Sequence, residues 1–168
     1  MDNNFNNQGY YQQPNFNQPA LPMKWYKFLI YFVLFASAVV NAIAGFSYIT
    51  GGQYGDYKEL VYKVFPALKG VDVIYGLAAL AIAALAIYTR MRLAGYYKNG
   101  PQLLNTLYIA AISVSLVYLI IVTIVINSSQ NITEFEAPSS SYASIAVSAA
   151  ILIANSTYFK KRAHLFTK

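Results

Sequence analysis

Four apolar runs govern what this chain can fold into: 28–49, 71–88, 103–126 and 142–159. They hold 22, 18, 24 and 18 residues and share a single formal charge, Asp72. A hydrocarbon core about 30 Å thick takes about 20 apolar residues of helix. Inside it, every backbone amide must be bonded within its own segment or in a closed barrel. Four segments are too few for a barrel, so even the β-branched end of the third run, 122–126, is predicted helical. A soluble bundle would need polar faces at the helical period, and 28–40 offers none. The first run is also longer than the about 7–15 residues of a signal-peptide core, and it starts too far from Met1 to read as one. The expected fold is all-α: a polytopic membrane protein with four transmembrane helices as a bundle over 24–168, preceded by a disordered tail over 1–23.

Composition agrees. Charged residues make up 11 % of the chain, against about 25 % in soluble domains. With no Cys and one His, thiolate metal sites, iron–sulfur clusters, Cys nucleophiles and multi-histidine sites are excluded. No nucleophile–base pair, paired carboxylates or phosphate-binding Gly loop stands out, so the sequence points away from an enzyme and names no cofactor.

Orientation follows from Lys and Arg in the short flanks. Lys24, Lys27, Arg90, Arg92, Lys98, Lys160, Lys161, Arg162 and Lys168 fall on one side; Lys58, Lys63 and Lys69 fall on the other, with five of the six acids. An even number of spans with this bias puts both termini in the cytoplasm and the chain in the cytoplasmic membrane. The net charge of +6 is then a topology signal and not a nucleic-acid footprint. Arg90, Arg92, Lys98, Lys160, Lys161 and Arg162 become candidate contacts for anionic lipid headgroups, worth about 1 kcal/mol per charge.

Between the runs, the tail holds ten Asn and Gln with Pro14, Pro19 and Pro22. That composition cannot bury a core, although Phe5, Tyr10, Tyr11 and Phe16 give it adhesive groups. In the first outer loop, Leu60, Val61, Val64, Phe65 and Leu68 recur at helical spacing. They predict a short amphipathic helix that breaks at Pro66, after a turn at Gly51-Gly52. Pro101 suits the first turn of the third span. The second outer loop, 127–141, reads as polar and flexible, with chance-level sequons at Asn127 and Asn131.

Among polar residues inside the runs, Asp72 stands first, because a charge in a membrane is costly and marks function by default. It lies about one turn below the outer edge, three residues after Lys69 and on the same helix face. An interfacial ion pair is the preferred reading, and a proton or cation site is the alternative. Asn105 and Asn155 both lie near the inner side, within reach of each other, as interhelical glue. Asn41 with Ser37 is a possible substrate-lining pair. Small residues in the second and fourth runs predict that these two spans form the tight centre, with bulky spans one and three facing lipid. His164 reads as a solvated interfacial residue.

Several interfacial motifs form a recognisable set: Lys24-Trp25-Tyr26-Lys27-Phe28, Phe65-Pro66-Ala67-Leu68-Lys69 with Asp72, Arg90-Met91-Arg92-Leu93-Ala94-Gly95, Lys98-Asn99-Gly100-Pro101, and Tyr158-Phe159-Lys160-Lys161-Arg162 with His164-Leu165-Phe166. Over roughly 23–166 the chain resembles an uncharacterised family of small four-span membrane proteins of Gram-positive, mostly anaerobic bacteria. Members often carry an N-terminal zinc ribbon; here the Cys-free tail stands in its place. The resemblance implies a bacterial cytoplasmic membrane and adds no catalytic residue. The expected function is a non-enzymatic binding or scaffolding role, with the lipid bilayer and a membrane-protein partner or further copies of the chain as partners. The alternative is a small transporter or channel subunit acting as an oligomer.

Overall fold

The computed structural model describes residues 23–128 and 139–168. The expected disordered tail, its adhesive aromatics, and most of the second outer loop with Asn131 lie outside the described residues. Every regular element among the described residues is helical. The stretch Lys24–Val64 and the helices Pro66–Ala94 and Gly100–Asn127 are long and apolar enough to cross a membrane. The apolar part of the last helix, Ile145–Lys160, is shorter.

Helix α1 runs over 24–50. It begins as Lys24–Phe28, widens at Leu29–Val33 into a π-type turn, and continues as Leu34–Thr50. At the wide turn the Leu34 N–H reaches back five residues to the Leu29 carbonyl. Such a turn opens the regular ladder, and Arg90 Nε donates to the Ile30 carbonyl beside it at 2.9 Å. At the far end Gly51 adopts φ 75°, and its N–H closes back on Ser47 and Tyr48. That left-handed cap is the conformation that favours glycine.

A 3-10 turn, Gly52–Tyr57, leads into α2, Lys58–Val64. Phe65 is extended (φ −126°, ψ 74°), as a residue before proline tends to be, and Pro66 opens α3, Pro66–Ala94. The short helix, the break and the restart at Pro66 all fall where the spacing predicts them. Pro101 likewise sits in the first turn of α4, Gly100–Asn127. Helix α5 is Ser139–Lys160.

Helix α3 packs along α1 on one side and α4 on the other, and α5 packs against α4. The α1–α3 crossing is a backbone contact. A Cβ on Gly76 would lie 2.7 Å from the Gly45 carbonyl oxygen and 3.0 Å from the Ile49 amide nitrogen. This departs from the expectation that spans two and four form the tight centre. Facing glycines admit a closer approach than the alanine-rich faces do, and Ala146 and Ala150 of α5 are exposed. Phe32, Phe35 and Phe46 of α1 and Val117, Ile120 and Ile124 of α4 are exposed, but so are Ile74 and Leu77 of α3 and Val147 and Ile153 of α5, so outward bulk is not confined to the first and third runs.

One end of the bundle gathers most of the basic residues, all but Lys58, Lys63 and Lys69, and its core is aromatic. Tyr26, Leu29, Leu93, Leu104, Phe159 and Phe166 are buried together. The Tyr26 hydroxyl donates to the Leu93 carbonyl at 2.6 Å, and its ring meets Tyr96, Phe159 and Phe166 at 5.4, 6.4 and 6.1 Å between centroids. Helix α3 ends here in a six-to-one closure, the Tyr97 N–H reaching the Arg92 carbonyl at 3.1 Å. Its left-handed residue is Tyr96, φ 57°, and not Gly95. A side chain in that region carries strain, and the ring contacts to Tyr26 and Phe166 hold it. Residues after α5 lie across this turn, with Lys98 N–H donating to the Lys168 carbonyl at 2.9 Å.

Candidate functional site

At the end opposite most of the basic residues, five tyrosines from five elements gather around Asp72. The Asp72 side chain is fully buried, 0 % exposed. Its Oδ2 accepts from the Tyr62 hydroxyl of α2 at 3.1 Å, and its Oδ1 accepts from the Tyr118 hydroxyl of α4 at 2.8 Å. Tyr75, one turn further along α3, stacks on Tyr118 at 4.1 Å. Tyr48 at the end of α1 sits edge-on to Tyr75 at 4.6 Å and to Tyr118 at 5.3 Å. Tyr54 of the 3-10 turn meets Tyr62 at 5.5 Å.

Local structure explains how Tyr62 arrives. Helix α2 folds back over the end of α1 because Gly51 turns the chain there. A Cβ at Gly51 would come within 2.9 Å of the Tyr62 hydroxyl and 3.0 Å of the Lys58 stem. Glycine is favoured here by its φ, and an added Cβ would in addition press on the ends of the Tyr62 and Lys58 side chains. Burial first, and then the Asp72 carboxylate, push the Tyr62 hydroxyl up to about 12. The same two causes, in the same order, raise Tyr54. A negative group behind hydroxyls disfavours their ionised forms.

The expected Lys69–Asp72 ion pair is replaced by this arrangement. Lys69 is exposed, while both hydrogen-bond partners of Asp72 are neutral hydroxyls. The physical reason is direction: Asp72 faces α4 and the folded-back α2, where two phenols are already within reach.

A cavity of about 480 Å³ opens beside the cluster. It is lined by Tyr48, Gln53, Tyr54 and Tyr118 together with the apolar Val61, Phe65, Leu68, Val122 and Ile126. The Gln53 amide atoms are shielded from solvent there. Asp72 itself stands one hydrogen bond behind the wall, through Tyr118. A second, mainly apolar groove of about 290 Å³ runs between α3 and α4 and shares Tyr118.

The other sequence candidates are placed elsewhere. Asn41 donates to the Ser37 carbonyl at 2.8 Å and to its hydroxyl at 3.3 Å, within its own helix. Asn155 is fully buried, but its Oδ1 accepts from Trp25 Nε1 at 2.9 Å. It thus ties α5 to the start of α1 and not to Asn105, which is half-buried on α4.

The six candidate lipid contacts divide. Lys98, Lys160 and Lys161 are exposed. Arg90 is engaged with Ile30. Arg92 bonds the Tyr88 hydroxyl at 2.9 Å and lies over the Tyr97 ring at 4.6 Å. Arg162 is buried, 3.8 Å above the Tyr158 ring. His164 is exposed.

Sequence reasoning missed the tyrosine cluster. By position alone, Tyr48 and Tyr75 fall near the outer ends of their apolar runs and Tyr118 lies deeper in its own, and nothing local links them to Asp72. The available signal is chemical: a tyrosine deep in an apolar helix needs a hydrogen-bond partner, and Asp72 is the single charged residue in the apolar runs.

No family model matches the chain, and neither does any curated protein or solved structure.

Proposed function

We propose that this chain is a four-span integral protein of a bacterial cytoplasmic membrane, with both termini in the cytoplasm, that works by binding rather than by catalysis. The cavity beside the buried Asp72 cluster is the observation that carries the reading. It is the size of a small-molecule site, about 300–1,000 Å³, and its lining mixes three tyrosines with apolar side chains. Apolar side chains exposed along α1, α3 and α4, such as Phe35, Ile74 and Ile120, support a lipid setting. The basic end then faces the cytoplasm, where Lys98, Lys160 and Lys161 are free to meet anionic headgroups. A membrane-protein partner or further copies of the chain complete the scaffold, and the likeness to small four-span proteins of Gram-positive bacteria belongs to the same reading.

A second reading, an oligomeric transporter or channel subunit, is favoured by one observation: Asp72 is buried with neutral partners. It requires polar groups through the membrane depth. Asn41 is satisfied within its own helix and Asn155 is tied to Trp25 at the other end, so the polar line stops near Asp72.

Two measurements test the reading. The chain has no Cys, so single probes are clean. An impermeant thiol reagent added to intact cells is expected to label Asp56→Cys, an exposed position, and to label Lys98→Cys only after permeabilisation. Outside labelling at 98 overturns the topology. Mass analysis of the protein extracted in native lipid is expected to show a bound partner or small molecule. Asp72-dependent ion flux in reconstituted liposomes would replace binding with transport.

A further inference from the structure

We propose that the cavity at the Asp72 cluster binds a small organic cation of the ammonium class, seated against tyrosine rings and hydroxyls with the Asp72 charge one hydrogen bond behind. The proposal rests on the reading of this cavity as the binding site and adds the ligand's chemistry.

Charge balance is the first ground. A carboxylate offers about four acceptor positions on two oxygens, and Tyr62 and Tyr118 fill one on each. Both are hydroxyls, so a cation brought beside them would let Asp72 be held as a carboxylate where an unpaired buried charge is costly. The chain's own cations nearby do not reach in. Lys69 and Lys58 are exposed, and Lys58 lays only its stem along the Gly51 turn. A cation from outside the chain completes the site.

The wall chemistry selects the kind of cation. Tyr48, Tyr54, Tyr118 and Phe65 line the cavity, and aromatic faces attract ammonium groups, most strongly where water is excluded. Phenol oxygens that donate to Asp72 still hold lone pairs for an N–H donor. Val61, Leu68, Val122 and Ile126 suit an alkyl portion. A Ca2+ ion takes six to eight oxygen ligands, and a protein-held Zn2+ takes three or four Cys, His or carboxylate ligands. Asp72 is the sole carboxylate in this set, and no group of three His, Asp or Glu occurs among the described residues. An anion would meet the Asp72 field with the wrong sign.

Two sources carry an ammonium group at this depth: a free amine, and the amino headgroup of an outer-leaflet lipid. The apolar groove that shares Tyr118 would hold the chain of the latter.

The full chain in maltoside micelles free of amino lipids is titrated with n-butylammonium, and in parallel with n-butanol at matched ionic strength. Calorimetry and melting temperature are read. Butylammonium is expected to bind and raise the melting temperature, and butanol to do neither. Asp72→Asn is expected to weaken binding about tenfold or more, the loss of one charge-assisted interaction. Tyr118→Phe keeps the ring, loses the hydroxyl, and carries the same test if Asp72→Asn does not fold. In nanodiscs, a stabilisation by phosphatidylethanolamine over phosphatidylglycerol that Asp72→Asn removes assigns the lipid source; its absence alongside butylammonium binding assigns the free amine. Equal binding of butanol and butylammonium, abolished by Val122→Trp, overturns the cation and leaves the cavity as a binding site. No binding of either by the folded wild type overturns both.

Discussion

Alanine at Gly76 is expected to destabilise the bundle by about 1–3 kcal/mol, and leucine by more, because added bulk at a packed contact forces backbone to move. The neighbour at this point is not a flexible side chain. A Cβ would lie 2.7 Å from the Gly45 carbonyl oxygen, so α1 and α3 must separate. Gly70 supplies the control on the same helix. Nothing lies within 4 Å of a Cβ there, and alanine at Gly70 is expected to be neutral or to stabilise by about 0.5–1 kcal/mol through helix propensity. Melting of the two alanine variants in one detergent gives the comparison. Equal melting temperatures would mean that the glycine contact does not hold α1 to α3.

Removing the Tyr26 ring is the second large effect. Tyr26 is 2 % exposed and touches three further aromatic rings, so Tyr26→Ala is expected to cost about 3–5 kcal/mol, the range for truncating a buried aromatic. Tyr26→Phe keeps the ring contacts and loses one of the hydrogen bonds to the Leu93 carbonyl, at about 0.5–1.5 kcal/mol, because that oxygen still accepts from the Tyr96 N–H at 2.9 Å. Phe166→Ala should behave like Tyr26→Ala, because Phe166 is buried against the same ring. The single tryptophan reports the outcome directly: Trp25 adjoins Tyr26 and bonds Asn155, so its emission follows the opening of α5 from α1. A Tyr26→Ala protein that melts with the wild type would place the stabilising core elsewhere.

Much of the secondary structure is legible before folding because its signals are local. Pro66 and Pro101 mark helix starts, Gly51 marks the exit of α1, and the spacing of Leu60, Val61 and Val64 marks α2. Partner choice is not local. Gly45 sits unremarked in an apolar run, and its meaning appears only when Gly76, 31 residues away, lies against it. The alanines of α3 and α5 give a louder small-residue pattern, yet the bundle pairs the two glycines. At the site, the sequence singles out Asp72 but not its partners. Lys69 is the near neighbour in sequence, whereas Tyr62 and Tyr118 arrive through a reversed helix and a separate long helix. The basic residues show the same limit: a Lys or Arg count fixes an expected side of the membrane, but not that Arg90 and Arg162 are turned inward to carbonyls and a ring.

The wide turn at Leu29–Val33 has a consequence for how α1 should be read along its length. A π-type turn spends more residues per revolution than the 3.6 of an α-helix, so it inserts a phase slip between 24–28 and 34–50. Tyr26, Ile30, Leu34 and Ala38, all buried, recur at an even interval of four that a regular helix would rotate steadily off the core. The slip keeps them in line. A relative one residue shorter between 28 and 34 would therefore present the same two faces through an ordinary helix, and its position 90 would no longer need a donor for an opened carbonyl. Variation in length at this turn, coupled to the residue at 90, is the trace such a slip leaves in a lineage.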